Sequence, residues 1–240
     1  MQIEKRVIVA LDVGTANEAR TVIDELGDDV AAFKIGLQLF TAAGPEFVRE
    51  VSTKHRVFLD LKFHDIPNTV AKAGVEATRL GIWMFNVHAS GGAEMLRRTV
   101  GEVGEVCERE KIRRPLIVAV TVLTSSDANT LREIGIERAA EAQVLHLARL
   151  TEECGLDGVV ASPLETSPIR RTIDKADFLI VTPGVRPEFA TNDDQKRVTT
   201  PRRAVSSGSD YLVMGRPVLE AKDRVAALKR ICEEIEAART

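Results

Sequence analysis

The sequence predicts an α/β fold: a closed, parallel (β/α)8 TIM barrel with its helices outside, formed by residues 1–240 as one domain. Three observations predict it. Eight short apolar, β-branched runs recur along the chain. Amphipathic stretches rich in Ala, Glu, Arg and Leu separate them, and strands alternating with helices imply a parallel sheet covered by helices. Polar residues gather after the C-terminal ends of these runs, the rim where barrel enzymes place their sites. A chain of 240 residues accommodates roughly eight such units, since about 250 residues is typical of the architecture. A doubly wound open sheet is the competing arrangement, but no GxGxxG follows the first run.

The first run is Val7 to Leu11, followed by Asp12. The second, Ala32 to Gly36, carries Lys34 inside it. The third, Val57 to Lys62, ends on Asp60 and Lys62, and the fourth, Met84 to His88, ends on a histidine. Leu116 to Thr121 is the fifth, with Thr124 just beyond. Gly158 to Ala161 and Phe178 to Val181 come next, the latter followed by Pro183, Gly184 and Arg186. Tyr211 to Met214 is the last, with Gly215 and Arg216 after it. Among the intervening stretches, Ala139 to Glu153 sets Ala140, Val144, Leu147 and Leu150 on one helical stripe.

Composition narrows the function. The chain is 44% hydrophobic and 29% charged, ordinary for a soluble globular protein. A net charge of -3 gives no field to recruit nucleic acid or an anionic membrane. Aromatics at 4% are too few for a base-stacking surface. No apolar run reaches membrane-spanning length, and the residues from Met1 to Arg6 lack a signal-peptide core. Cys107, Cys154 and Cys232 form no CxxC or Cys/His pair, which suits reduced thiols in the cytoplasm.

The most informative stretch runs from Asp60 to Thr69. Charges rarely close a buried strand, and alternation puts Phe58, Asp60 and Lys62 on one face. Asp65 follows in the turn, and Pro67 precedes a helix expected to start near Asn68 or Thr69. An Asp–Lys–Asp cluster fixed at a strand tip is costly unless its members pair. At the other end, Pro183, Gly184 and Arg186 form a rigid turn. Gly215, Arg216 and Pro217 open a helix, a pattern suited to phosphate. The polar stretch from Pro187 to Thr200 reads as a lid, with Gln195 as its clasp.

Two other patterns invite simpler explanations. His88, Ser90, Gly91 and Gly92 lack an acid to orient the imidazole, so a packed histidine and a glycine turn are expected rather than a triad. His64 lies beside Asp60 and Asp65, but the Lys62 ammonium competes with any cation there. The four histidines also show no ligand spacing, so no metal is expected.

The stretch Asp60-Leu61-Lys62-Phe63-His64-Asp65-Ile66-Pro67-Asn68-Thr69 resembles the signature of the orotidine 5'-phosphate decarboxylase family. Ala10 to Asp12, Phe33 to Gly36, Asn86 to Ala89, Val122 to Ser125, Val181 to Pro187 and Tyr211 to Pro217 resemble the same family, in its order. The likeness spans nearly the whole chain and is closest to the short bacterial form. Arg224, after Asp223, stands where the family pattern carries a proline.

The resemblance implies conversion of orotidine 5'-monophosphate to uridine 5'-monophosphate and carbon dioxide, the last step of de novo pyrimidine synthesis. It implies a barrel homodimer with shared active sites and no cofactor. It assigns Lys34, Asp60, Lys62 and Asp65 to an alternating charge network, with Asp65 and Thr69 reaching into the partner's site. Asp12 and Lys34 are assigned to the ribose hydroxyls, Asp60 to the neighbourhood of the substrate carboxylate, and Thr124 to the pyrimidine edge. Pro183, Arg186, Gln195, Gly215 and Arg216 are assigned to the phosphate end.

The chemistry agrees with the residues. Loss of the carboxylate leaves a vinyl carbanion at C6 with no cofactor to act as an electron sink. The protein must stabilise charge and deliver a proton, and Lys62 is the candidate for both. Two alternatives are a metal-dependent sugar-phosphate decarboxylase or synthase on the same barrel, and a non-catalytic nucleotide-binding barrel. Ile66 to Thr69 and Val181 to Pro187 weigh against the first, and the full Lys34, Asp60, Lys62 and Asp65 set against the second.

Overall fold

The computed structural model describes residues 5–190 and 199–238. Eight parallel strands form a closed barrel in chain order. They are β1 (Val7–Ala10), β2 (Ala32–Gly36), β3 (Val57–Phe63), β4 (Met84–His88), β5 (Leu116–Val120), β6 (Gly158–Val160), β7 (Leu179–Pro183) and β8 (Tyr211–Met214). Closure comes from β8 pairing back onto β1, with Val7 opposite Leu212 and Val9 opposite Met214. The expected eight-stranded barrel is therefore the observed one, with strand ends displaced by up to two residues.

The helices that follow are α1 (Ala16–Leu26), α2 (Leu37–Ser52), α3 (Pro67–Arg79), α4 (Gly92–Glu110), α5 (Ala128–Glu133), α6 (Ala140–Glu153), α7 (Thr166–Thr172), α8 (Pro201–Ser206), α9 (Arg216–Leu219) and α10 (Arg224–Glu236). Helix α3 starts at Pro67, slightly earlier than expected, because proline fits the first turn, where its missing N–H costs nothing. Thr15 and Glu18 form a reciprocal capping box on α1. Helix α6 buries Val144 and Leu147 as its stripe predicts, together with Ala148 and Thr151. Where a proline was expected, Arg224 instead reaches the Leu219 carbonyl and Glu25.

Period-2 alternation divides the strands between two apolar layers. Ile8, Ala10, Phe58, Met84, Val118, Val181 and Val213 pack together inside the barrel. Val7, Val9, Phe33, Ile35, Leu59, Phe85 and Ile117 belong to the larger cluster under the helices. Strands buried on both faces read as unbroken apolar runs. Each fully buried Phe or Leu side chain contributes about 1.5–3 kcal/mol over exposure.

The N-terminal end of the barrel is tied by two copies of one arrangement. Asp157, just before β6, accepts the Ile117 N–H of β5 at 2.7 Å and pairs with Arg114 at 2.9 Å. Asp210, just before β8, accepts the Ile180 N–H of β7 at 2.7 Å and pairs with Arg170. Features at this end of a barrel serve stability, which leaves the opposite end for chemistry.

Candidate active site

All eight strand ends contribute to one cavity of about 320 Å³ at the C-terminal rim. Its charged side is built from four residues on three consecutive strand ends. Lys34 of β2 lies 3.1 Å from Asp12 and 3.3 Å from Asp60. Lys62 lies 2.6 Å from the other oxygen of Asp60. The chain of contacts therefore runs Asp12, Lys34, Asp60, Lys62. Lys34 and Asp60 are deeply buried, with side chains only 10% and 13% exposed.

Burial pushes the Asp60 carboxyl up. The charges of Lys34 and then Lys62, with hydrogen bonds from Lys62 and Asn86, outweigh that and hold it below the usual carboxylate range. Asp60 is thus a fixed anion in a water-poor setting, flanked by ammonium groups on both of its oxygens. A metal ion would have to displace a lysine to bind it. Among the described residues no group of three or more His, Cys, Asp or Glu is placed to hold a metal ion.

Strand β3 does not reach this geometry by plain alternation. Its pairing with β4 shifts between Leu59 and Phe63. Within that break Lys62 adopts a left-handed backbone, with φ 52°. Such a conformation is uncommon for a side chain of this kind and points to functional strain. Asn86, buried in β4, donates to Asp60 at 2.7 Å and accepts the Lys62 backbone N–H at 2.8 Å. Asn86 was absent from the residues expected at the site. The signal was there: it is a lone amide in the apolar run Met84 to His88, as Lys34 is a lone ammonium in the second run.

The ends of β7 and β8, the first across the barrel from β3 and the second beside β1, bring Pro183, Gly184, Arg186, Gly215 and Arg216 to the same cavity. Gly184 needs its left-handed backbone, φ 77°, to turn the chain here. At Gly215 a Cβ would sit 3.0 Å from Asp12 Oδ2, so the chain could not approach as closely with a side chain there. Helix α9 is a single four-residue turn. Its dipole is correspondingly small, and the positive charge at this end rests on the two arginines. Arg186 is set by pairing of its neighbour, since Val185 bridges Thr199 and the Arg186 N–H donates to the Thr199 carbonyl at 2.9 Å.

Between these sides, Val122, Leu123 and Thr124 form one wall, with Val120, Val160 and Val213 lining the cavity beside them. Two lysines interleaved with two carboxylates therefore share the cavity with two arginines, with an apolar wall between. This arrangement suits a polyanionic ligand with an apolar, planar centre.

Asp65 and Thr69 lie outside this cavity. Both are exposed, next to an Ile66 that is 65% exposed, and Asp65 accepts the Ile66 N–H at 2.6 Å. Within one chain the fourth member of the charge network is thus Asp12, not Asp65. Gln195 lies outside the described residues. His88 is half-buried beside His64, with ring centroids 5.2 Å apart. Burial, then the charges of His64 and Lys62, push His88 down, so it is a packed neutral imidazole at neutral pH, as expected of a residue outside any triad. Cys107 and Cys154 are buried free thiols and Cys232 is a partly buried one.

Comparison with known proteins agrees with this geometry. Residues 5–231 match the family model described as "Orotidine 5'-phosphate decarboxylase / HUMPS family". Over 239 residues the chain is 50% identical to the orotidine 5'-phosphate decarboxylase of Syntrophotalea carbinolica, covering 99% of this chain and 98% of that protein. It is 52% identical over 233 residues to the enzyme of the same name from Pelobacter propionicus, covering 96% and 95%. Among solved structures, orotidine 5'-phosphate decarboxylase from Lactobacillus acidophilus superposes with a TM-score of 0.84 at 36% identity. That match covers 96% of this chain and 99% of the other.

Proposed function

The chain belongs to the orotidine 5'-phosphate decarboxylase / HUMPS family, and on that premise we propose that it converts orotidine 5'-monophosphate to uridine 5'-monophosphate and carbon dioxide with no cofactor, using Lys62 as the proton donor. The observation that carries this reading is Asp60 held between Lys34 and Lys62 at one side of a cavity whose other side presents Arg186 and Arg216. The substrate has matching charges: a phosphate at one end and a carboxylate on C6 of the base at the other.

The phosphate is bound by Arg186 and Arg216, with Pro183, Gly215 and Gln195 completing that end. Asp12 and Lys34 hold the ribose hydroxyls, and Thr124 meets the pyrimidine edge. This places the C6 carboxylate beside Asp60 and Lys62. The C6–carboxylate bond breaks, carbon dioxide leaves, and the electron pair stays on C6. The Lys62 ammonium stabilises that pair and gives it a proton, forming the C6–H bond. The resulting amine regains its proton from water. Asp60, already ionised, sits close to the departing carboxylate while fixing the ammonium by a 2.6 Å contact. Preorganised charge of this kind acts without reorganisation at the moment of reaction. Binding energy at the remote phosphate aligns the reacting end.

The enzyme acts as a homodimer in which Asp65 and Thr69 enter the partner's site. Their exposure beside the uncovered Ile66 supports this, because Asp65 can then add a carboxylate to a neighbouring cavity. A charged nucleotide substrate confined by membranes fits a cytoplasmic enzyme. No helix among the described residues is long and apolar enough to cross a membrane.

The test is the ultraviolet spectrum of orotidine 5'-monophosphate mixed with the purified protein and excess EDTA. Decay to the uridine monophosphate spectrum is expected. An unchanged spectrum from folded protein, with turnover of sugar phosphates on adding magnesium, would overturn the proposal in favour of the metal-dependent relatives.

A further inference from the structure

Strand pairing between β3 and β4 runs from Phe58 opposite Met84 to Leu59 opposite Phe85, then resumes at Phe63 opposite Val87. Three residues of β3, Asp60, Leu61 and Lys62, therefore face a single residue of β4, Asn86. A break of this size leaves ladder groups without partners and bends the strand. The Asn86 side chain supplies what the ladder lacks. Its amide oxygen accepts the Lys62 backbone N–H, and its amide nitrogen donates to Asp60 Oδ1.

Only one orientation of the amide is workable. Flipped, it would set an NH2 against the Lys62 N–H and an oxygen against the Asp60 carboxylate. Asn86 is 1% exposed, so water does not replace either bond. The two bonds act on the two residues that matter. One holds Lys62 in its left-handed conformation, which a residue with a side chain rarely adopts. The other fixes the same carboxylate oxygen that contacts Lys62 Nζ at 2.6 Å.

We infer that Asn86 is a positioning residue for the decarboxylation: by bridging the Lys62 backbone and the Asp60 carboxylate across the break in β3, it aims the Lys62 ammonium at the reacting carbon. This rests on the proposed function. Asn86 is assigned no proton transfer of its own. Its effect is on where the ammonium stands, and a misplacement of about 1 Å at a reacting group can cost on the order of 10²-fold in rate.

The experiment compares wild type with Asn86→Ala and Asn86→Asp, reading kcat, the dissociation constant for uridine monophosphate, and the pH profile of kcat. The aspartate variant is nearly isosteric and keeps an acceptor for the Lys62 N–H, so it remains informative if the alanine variant folds poorly. Both should lose turnover on the order of 10²-fold while keeping most of their affinity for uridine monophosphate, whose phosphate and ribose contacts lie elsewhere. In Asn86→Asp the acidic limb of the profile should also move to higher pH, because a second carboxylate beside Asp60 disfavours its ionised form. The other titratable groups facing Asp60 are Lys34 from β2, Lys62 from its own strand and His88 from β4, with Asp12 behind Lys34. All are unchanged in the variant. Unaltered kcat in Asn86→Asp would overturn the inference, as would equal losses of turnover and product affinity, the signature of general unfolding of the site. Failure of wild type to decarboxylate would instead overturn the functional proposal.

Discussion

Lys62 Nζ rests 2.6 Å from Asp60 Oδ1 although the two residues lie inside a break in strand pairing, with the Lys62 backbone turned left-handed at φ 52°. The ion pair and the strained backbone make opposite predictions for stability and activity at one position. Lys62→Ala removes the proposed proton donor but keeps a Cβ in the unfavourable conformation. Lys62→Gly removes the donor and relieves the backbone. Both should fold and lose turnover by at least ~10²–10⁴-fold, the usual contribution of a positioned acid. The glycine variant should be the more stable of the two by about 1 kcal/mol. Steady-state kinetics with thermal melting decides this, and normal turnover in either variant would remove Lys62 from its role.

Asp60 owes its ionisation to its neighbours. Burial alone raises it, and the charge of Lys34 is the largest influence lowering it. Lys34→Met should therefore raise the Asp60 pKa relative to wild type. Because the wild-type value lies below that of an unfolded chain, the stability contributed by Asp60 is complete above the ordinary carboxylate range. It fades only as pH falls through the depressed folded value. In Lys34→Met the folded value moves toward the unfolded one, so Asp60 should contribute less stability and its loss should be complete at a higher pH. Carbon-detected NMR titration of labelled aspartate measures the shift without reference to turnover, and an unmoved Asp60 resonance would refute the electrostatic account.

The barrel was legible because parallel strands are buried on both faces. Val57 to Leu59 and Leu116 to Val120 read as unbroken apolar runs, and the polar residues Asp12, Lys34, Asp60 and Lys62 mark their outgoing ends or inward faces. Alternation correctly grouped Asp60 with Lys62 but for an incomplete reason. It assumes continuous pairing, whereas the pairing breaks between Leu59 and Phe63. Nothing local to Lys62 announces a positive φ, since neither it nor its neighbours is glycine. The partner that stabilises this conformation is Asn86, on the next strand. The brevity of α9 was equally hidden, because Gly215, Arg216 and Pro217 can open a helix of any length. Spacing alone set Asp65 in the strand-tip cluster, and resemblance alone sent it and Thr69 to a partner's site; one chain leaves both exposed.

The Arg186 end of the cavity, the proposed phosphate site, has a support that resemblance did not assign. Arg230 of α10 stacks over the Phe189 ring at 4.0 Å, and Glu234 of the same helix accepts the Glu188 N–H at 3.2 Å. These contacts seat the residues just after Arg186 against α10. Arg230→Ala should loosen that seat and weaken nucleotide binding while chemistry at saturation persists, because the reacting groups lie across the cavity. A cation–π contact of about 0.5–1 kcal/mol corresponds to a roughly two- to fivefold rise in KM. Arg230→Lys should restore part of it. A fall in kcat at constant KM would show that the helix acts on the chemistry instead.

The opposite end of the barrel should separate stability from catalysis. Asp157 accepts the Ile117 N–H and pairs with Arg114, all at the N-terminal end of the strands. Asp157→Ala leaves a strand N–H and a guanidinium without their partner, at a cost of about 1–3 kcal/mol. For a chain of this size each kcal/mol lowers Tm by roughly 2–4 °C. Gly158→Ala should cost more. Its new Cβ would stand 2.2 Å from the Leu179 carbonyl oxygen and 2.7 Å from the Leu179 Cβ, a backbone atom and a carbon bonded directly to the backbone, neither of which can swing aside. The β6–β7 ladder, where Gly158 pairs with Leu179, would have to open. Below their melting temperatures both variants should keep wild-type kcat and KM, because Asp12, Lys34, Asp60 and Lys62 are fixed at the other end. Melting curves beside kinetics check this. A loss of kcat in fully folded Asp157→Ala would mean that strain at one end of β6 reaches the site at the other, contrary to the division of labour along the strands.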